Sequence, residues 1–341
     1  MMKAELEAIA QKMVSDGKGI LAADESTSTI KKRFDAIGVE STEDNRRDYR
    51  ELMFRADAMQ EYISGVILFD ETIRQKAKDG TPLVTLIEQA GSIPGIKVDA
   101  GAKPMALFPG ETITEGLDGL GGRLKEYYDL GARFAKWRAV IDIGAGIPTP
   151  GAVAANAHAL ARYAALCQEA GIVPIVEPEV LMDGDHGIER CYEVTEYVLK
   201  VVFSELYLQR VCLEGMVLKP NMIVPGKKAR TQASVAEVAE KTVRVLKSTV
   251  PAAVPGIAFL SGGQSDEDAT AHLDAMVKLG SLPWKLTYSY GRALQAAPQK
   301  AWSGKAENVA AAQAAFTHRA RMNSLAALGQ WSSEQEKKKA A

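Results

Sequence analysis

Cysteine is scarce in this 341-residue sequence: Cys167, Cys191 and Cys212 lie far apart and are odd in number. That argues against a disulfide framework. The four histidines, His158, His186, His272 and His318, form no HxH or HExxH pattern, which speaks against a zinc centre. No stretch approaches the ~20 apolar residues of a membrane span. The segment 1–14 alternates charges with Ala, Leu and Ile at helical spacing and lacks a signal peptide's apolar core. The cytoplasm is the expected location. Neither sign of charge dominates, since 41 Lys plus Arg against 43 Asp plus Glu leave a net charge of −2. Neither nucleic acid nor an anionic membrane is therefore the expected partner. No GxGxxG follows the first apolar run, which weakens a dinucleotide-binding reading.

What is present is an ordinary enzyme-sized composition, 47% hydrophobic and 25% charged, with a regular alternation. Short apolar runs begin near residues 19, 63, 96, 134, 172, 215, 256 and 286. Helical patterns fall among them, at 42–62, 117–130, 154–170, 188–208, 234–246, 269–279 and 308–328, after a first helix carrying Leu6, Ile9, Met13 and Val14. Such alternation predicts a parallel sheet with right-handed crossovers. Eight units in roughly 300 residues fit an α/β (β/α)8 TIM barrel better than a doubly wound sheet. No repeat or mid-chain linker is visible. The expectation is a single barrel domain over 1–341, with a flexible C-terminal tail from about 330.

Barrel active sites gather at the carboxyl ends of the strands. There stand Asp24, Ser26, Lys97, Lys136, Arg138, Glu177, Glu179, Lys219, Ser261 and Arg292. Period-two alternation puts Lys136 and Arg138 on one face, and Glu177 and Glu179 on one face. Lys219 closes a short apolar run and precedes Pro220, so its amine is expected at a strand end in a poorly solvated place. A free amine there could attack a carbonyl and form a Schiff base. Equally, Lys219 could reach solvent or pair with a structural carboxylate. Lys136 nearby would favour the free amine through like-charge repulsion. Glu177 is a plausible acid for carbinolamine dehydration, and Asp24 a plausible base toward a hydroxyl. Backbone N–H groups of Ser261, Gly262 and Gly263 could turn onto a phosphate, with Arg292 adding a forked contact. Alternatively, the Gly-Gly pair marks only a tight turn. Lys97, Arg138 and Ser26 could serve a second phosphate.

These residues stand in segments that closely resemble class I fructose-1,6-bisphosphate aldolases: LAADEST at 21–27, DNRR at 44–47, GIKVD at 95–99, GLDGL at 116–120 and FAKWR at 134–138. The resemblance continues through ARYA at 161–164, GIVPIVEPE at 171–179, DGDH at 183–186, LKPNM at 218–222, FLSGGQS at 259–265 and SYGRALQ at 289–295. It implies that Lys219 is the Schiff-base lysine and that Glu177 handles protons at the carbinolamine and imine steps. Asp24 would handle the C4 hydroxyl proton, with Lys136 and Glu179 as electrostatic partners. Ser261, Gly262, Gly263, Ser289, Gly291 and Arg292 match the C1-phosphate site. Ser26, Arg33, Lys97 and Arg138 match the region that receives the C6 phosphate. The implied reaction is reversible cleavage of fructose 1,6-bisphosphate to dihydroxyacetone phosphate and glyceraldehyde 3-phosphate, in glycolysis and gluconeogenesis. It needs no metal and no cofactor. The partners implied are small sugar phosphates and, as a family habit, three further copies in a homotetramer.

Two departures stand out. Animal family members end in a tail whose terminal Tyr assists enamine proton transfer, whereas this sequence has no Tyr beyond Tyr290 and ends in KKKAA. Enamine protonation is expected to use another group or water and to be slower. Thr29 stands where many relatives have Ser, which keeps the hydroxyl. Sedoheptulose-1,7-bisphosphate aldol chemistry is the close alternative that the same residues could support. A non-catalytic sugar-phosphate binder would be expected to have lost Lys219, Glu177 or Asp24, and all three are present.

Overall fold

The computed structural model of the chain describes residues 2–337. Its strands are β1 (Gly19–Ala23), β2 (Ile63–Leu68), β3 (Ile93–Lys97), β4 (Ala102–Pro104), β5 (Thr112–Thr114), β6 (Phe134–Ile141), β7 (Val173–Val180), β8 (Val217–Leu218), β9 (Gly256–Phe259) and β10 (Lys285–Tyr290). Eight of them close a barrel in the order β1-β10-β9-β8-β7-β6-β3-β2, every neighbouring pair parallel. The ring closes where Ile20 and Leu21 pair with Ser289 and Tyr290. Each expected apolar run supplies one barrel strand. The runs look continuous because parallel strands covered by helices are buried on both faces.

The two faces of the barrel wall separate cleanly. Ile20, Ala22, Ile67, Phe134, Ile175, Val217 and Ala258 pack together inside, joined by Leu6, Ala10 and Met13 of the helix Met2–Met13, which closes one end. Their alternates, including Leu21, Leu68, Trp137, Val176, Leu218 and Phe259, pack outward against the helical ring. Space inside is made by small residues. A Cβ on Gly95 would stand 2.3 Å from the Phe134 ring, and one on Gly65 2.9 Å from it. Continuing the inward parity along β1, β3, β6, β7, β8 and β10 leads to the polar residues at the other end.

Helix starts follow local chemistry. Thr42, Thr149, Ser234 and Ser265 each accept a backbone N–H from the first turn that follows, and Pro150 occupies the first position after Thr149. The expected helix over 42–62 is two helices, Glu43–Phe54 and Ala58–Tyr62. Residues 55–57 separate them; Asp57 starts the second helix through its carbonyl, which accepts from Gln60 and Glu61, without a side-chain cap. Among the described residues, four helices of five or more residues carry no expectation from periodicity: Thr27–Asp35, Asp70–Arg74, Leu83–Gln89 and Arg292–Trp302. The antiparallel hairpin β4–β5 is likewise additional. In the expected tail, Ser333–Glu336 forms a helical turn, and Glu336 accepts from Arg319 at 2.5 Å and Trp331 Nε1 at 3.0 Å. Residues 338–341 of that tail lie outside the described residues. No helix among the described residues is long and apolar enough to cross a membrane.

Candidate active site

At the carboxyl ends of the strands the barrel opens into a cavity of about 710 Å³. Its wall is made by the inward-facing polar residues. Asp24 follows β1 directly, Lys97 ends β3, Lys136 and Arg138 lie in β6, Glu177 and Glu179 lie in β7, and Lys219 follows β8. Pairing of β6 with β7 sets Arg138 opposite Glu177. Lys219 is tied down by its own N–H, which donates to Val176 O at 2.8 Å before Pro220 ends the ladder.

The charges are arranged as a chain. Lys219 Nζ lies 3.2 Å from Glu177 Oε1. Glu177 Oε2 is 3.6 Å from Lys136 Nζ and accepts no hydrogen bond. Lys136 Nζ is 2.7 Å from Asp24 Oδ2. Lys219, Glu177 and Lys136 are each buried. Burial alone would raise the Asp24 pKa, but Lys136 and Lys219 outweigh it and hold the carboxyl down at about 2. Burial would lower the pKa of Lys136, but Asp24 and Glu177 outweigh that and raise it. Both partners therefore stay charged across the neutral range. Burial would lower the pKa of Arg138, but Glu179, to which it donates, outweighs that and raises it.

Two groups of anion donors flank this chain. On one side Ser261, Gly262, Ser289, Gly291 and Arg292 line the cavity. Ser289 Oγ is buried without a protein partner, and Gly262 has a positive φ of 55° that turns the loop. Arg292 donates to Gln264 O and, at 3.3 Å, to Gly262 O, so it braces this loop. Gly263 does not line the cavity. Its N–H donates to Met182 Sδ at 3.2 Å, and Lys227 occupies the place of a Cβ. On the other side stand Ser26, Thr29, Arg33, Lys97 and Arg138. Ser26 caps the helix Thr27–Asp35, with its Oγ 3.1 Å from Thr29 Oγ1. Lys97 Nζ is held by Asp99 Oδ1 at 2.6 Å.

All the expected site residues except Gly263 thus border one cavity. Asp99 and Glu25 border it as well and were not among the expected roles. Asp99 lies two residues beyond Lys97, and period-two spacing would have placed it on the same side. Glu25 neighbours Asp24, and nothing in spacing distinguishes it. One group of side chains able to share a metal occurs among the described residues, Glu7, Cys212 and Glu214; none of the three lines the cavity.

Comparison with known proteins agrees over nearly the whole chain. The family described as "Fructose-bisphosphate aldolase class-I" matches residues 5–341. A probable fructose-bisphosphate aldolase class 1 of Xanthomonas campestris pv. campestris is 62% identical over 328 residues, 96% of this chain and 98% of that protein. A cytosolic fructose-bisphosphate aldolase of Arabidopsis thaliana is 55% identical, covering 95% of this chain and 83% of that one. The Plasmodium falciparum fructose-bisphosphate aldolase, solved with TRAP and a small-molecule inhibitor, superposes with a TM-score of 0.96. It is 50% identical, over 97% of this chain and 96% of that one.

Proposed function

The chain belongs to the class I fructose-bisphosphate aldolase family, and from that premise we propose that it cleaves fructose 1,6-bisphosphate through an iminium formed on Lys219. The reaction is the family's reversible aldol cleavage to dihydroxyacetone phosphate and glyceraldehyde 3-phosphate, which runs without a metal. The observation that carries the residue assignment is the 3.2 Å contact between Lys219 Nζ and Glu177 Oε1 inside the cavity.

The Lys219 amine adds to the C2 carbonyl, Glu177 passes one proton from Nζ to the C2 oxygen to give the carbinolamine, and Glu177 then delivers a second proton, taken up from solvent, so that this hydroxyl leaves as water. The resulting iminium is the electron sink. Asp24 accepts the C4 hydroxyl proton while the C3–C4 bond breaks and its electrons pass into the enamine. A carboxylate held at about 2 by Lys136 and Lys219 is ionised across the neutral range but weakly basic. The iminium therefore supplies most of the pull, and Lys136 keeps Asp24 oriented. Protonation of the enamine at C3 and hydrolysis then free dihydroxyacetone phosphate and Lys219. Ser261, Gly262, Ser289, Gly291 and Arg292, with Gly263 bracing the loop from behind, fit the C1 phosphate. Ser26, Arg33, Lys97 and Arg138 fit the C6 phosphate, and Glu179 orients Arg138. Sugar-phosphate selection, a homotetramer and a cytoplasmic location complete the reading. The Arabidopsis relative's description as cytosolic supports the location.

The test is incubation with dihydroxyacetone phosphate followed by borohydride, which reduces an iminium to a stable amine. The expected product is a single adduct on Lys219, abolished in Lys219→Ala and unchanged by chelator. An adduct elsewhere, or none, overturns the assignment.

A further inference from the structure

Glu25, next to Asp24, is buried beside the cavity. Its Oε1 accepts from Arg33 and, at 2.7 Å, from Gln295 Nε2. Its Oε2 is buried and accepts no hydrogen bond. The group facing that bare oxygen, 3.8 Å away, is NH2 of Arg50, whose side chain is 1% exposed. Arg50 is also short of partners. Its NH2 donates to the Glu25 carbonyl at 2.9 Å, its NH1 reaches Glu71 Oε1 only at 3.5 Å, and its buried Nε has no partner. Glu71 is committed to Arg46 through contacts of 2.8 and 2.5 Å. A carboxylate oxygen without a donor thus lies 3.8 Å from a guanidinium whose NH2 is held only by a backbone carbonyl and whose NH1 makes one long contact.

We propose that Arg50 is a reserve counter-ion: when a substrate phosphate draws Arg33 out of its ion pair with Glu25, Arg50 closes on the freed carboxylate and so sets affinity for the distal phosphate. This rests on the assignment of Arg33 to the C6 phosphate. Arg33 borders the cavity and its side chain is 25% exposed, whereas Arg50 does not line it. Arg50 is therefore a positioning residue that acts through Glu25. A buried carboxylate resists losing its only strong cation unless another takes its place. Shortening the 3.8 Å separation to hydrogen-bond length takes a movement of roughly 1 Å. Arg46 and Arg50 are four residues apart on the helix Glu43–Phe54 and so share its face. Arg46 occupies Glu71, which leaves Arg50 the cation available to Glu25. Without Arg50 the Glu25 carboxylate would hold Arg33 more tightly, and binding of the distal phosphate would weaken.

The readout is the ratio of kcat/KM for fructose 1,6-bisphosphate over fructose 1-phosphate, which lacks the distal phosphate. Arg50→Met is expected to lower the ratio about tenfold, mainly through KM, and Arg50→Lys to restore most of it. Glu25→Gln is expected to move the bisphosphate KM the other way, because a neutral amide holds Arg33 less tightly than the carboxylate does. In Glu25→Gln/Arg50→Met, which removes the two buried charges together and keeps the test open should Arg50→Met alone not fold, the ratio should equal that of Glu25→Gln. A fall for both substrates alike in Arg50→Met, or KM shifts of the same sign in Glu25→Gln and Arg50→Met, overturns the proposal. So does a double variant that departs from Glu25→Gln. Arg33→Met separates the two levels. An unchanged ratio there removes the Arg33 assignment itself, while a collapsed ratio beside an unmoved Arg50→Met removes only the reserve counter-ion.

Discussion

Lys219 Nζ and Glu177 Oε1 lie 3.2 Å apart, while the second oxygen of the same carboxylate is buried and accepts no hydrogen bond. One oxygen therefore stands within proton-transfer reach of the amine, while the other faces Lys136. Lys136, 3.6 Å from that second oxygen, keeps the carboxylate compatible with burial. General acid–base catalysis contributes about 10²–10⁴-fold. If Glu177 is the proton carrier, Glu177→Gln preserves the shape and removes the transfer. Its rate of forming a borohydride-trappable adduct, followed by rapid quench, should fall by a factor in that range. An unchanged rate would place the proton donor elsewhere.

The same site shows how far sequence reaches. Two-residue alternation in FAKWR and IVEPE is enough to put Lys136 with Arg138, and Glu177 with Glu179, on one face each, because strand geometry fixes it; that this face is the lumen is read from the closed barrel. Pairing across the lumen was not readable. Lys136 meets Asp24 from β6 to β1, strands three places apart in the ring, and only closure of the barrel sets that contact. The hairpin β4–β5 escaped because Ala102, Lys103 and Pro104 are exposed and carry no apolar pattern. Helices such as Asp70–Arg74 are too short to show a period. The Arg33–Glu25–Arg50 arrangement joins a loop to two helices through side-chain reach alone, and that leaves no trace in spacing.

The Asp24–Lys136 pair predicts a pH signature in stability. Folding lowers the Asp24 pKa from 3.8 to about 2, so the folded state favours the carboxylate. The stabilisation is complete above pH 4, declines as pH falls toward 2, and amounts to about 2 kcal/mol at neutral pH. Asp24→Asn should lower the urea midpoint at pH 7, and its difference from the parent protein should narrow between pH 4 and 3. A difference that stays constant on acidification would mean that the ion pair is not its source.

Packing at the closed end of the barrel gives a prediction independent of chemistry. A Cβ at Gly95 would stand 2.3 Å from the fully buried Phe134 ring. Gly95→Ala should destabilise the fold by about 1–3 kcal/mol, the usual range for overpacking. Phe134→Leu reduces the ring and should absorb most of that penalty. Denaturant midpoints in a double-mutant cycle should therefore give a coupling of at least about 0.5 kcal/mol between the two sites. Additive effects would show that the wall yields elsewhere.

Ser289 separates function from stability within one residue. It ends an inward-facing run of β10, is 1% exposed, and its Oγ has no protein partner. An unsatisfied buried hydroxyl costs about 1–3 kcal/mol. A fold selected for stability alone would gain by placing Ala there, because Ala leaves no polar atom to satisfy. If Ser289 instead serves the C1 phosphate, its hydroxyl gains a charged acceptor only on binding, and such hydrogen bonds contribute about 1.5–3 kcal/mol. Ser289→Ala should therefore leave the melting temperature equal or higher. It should also raise KM about tenfold for fructose 1,6-bisphosphate and for fructose 1-phosphate alike, because both carry the C1 phosphate. Calorimetry and steady-state kinetics on the same preparation give both numbers. A lower melting temperature with unchanged KM would make Ser289 a structural residue and leave the C1 phosphate to Ser261, Gly262 and Arg292.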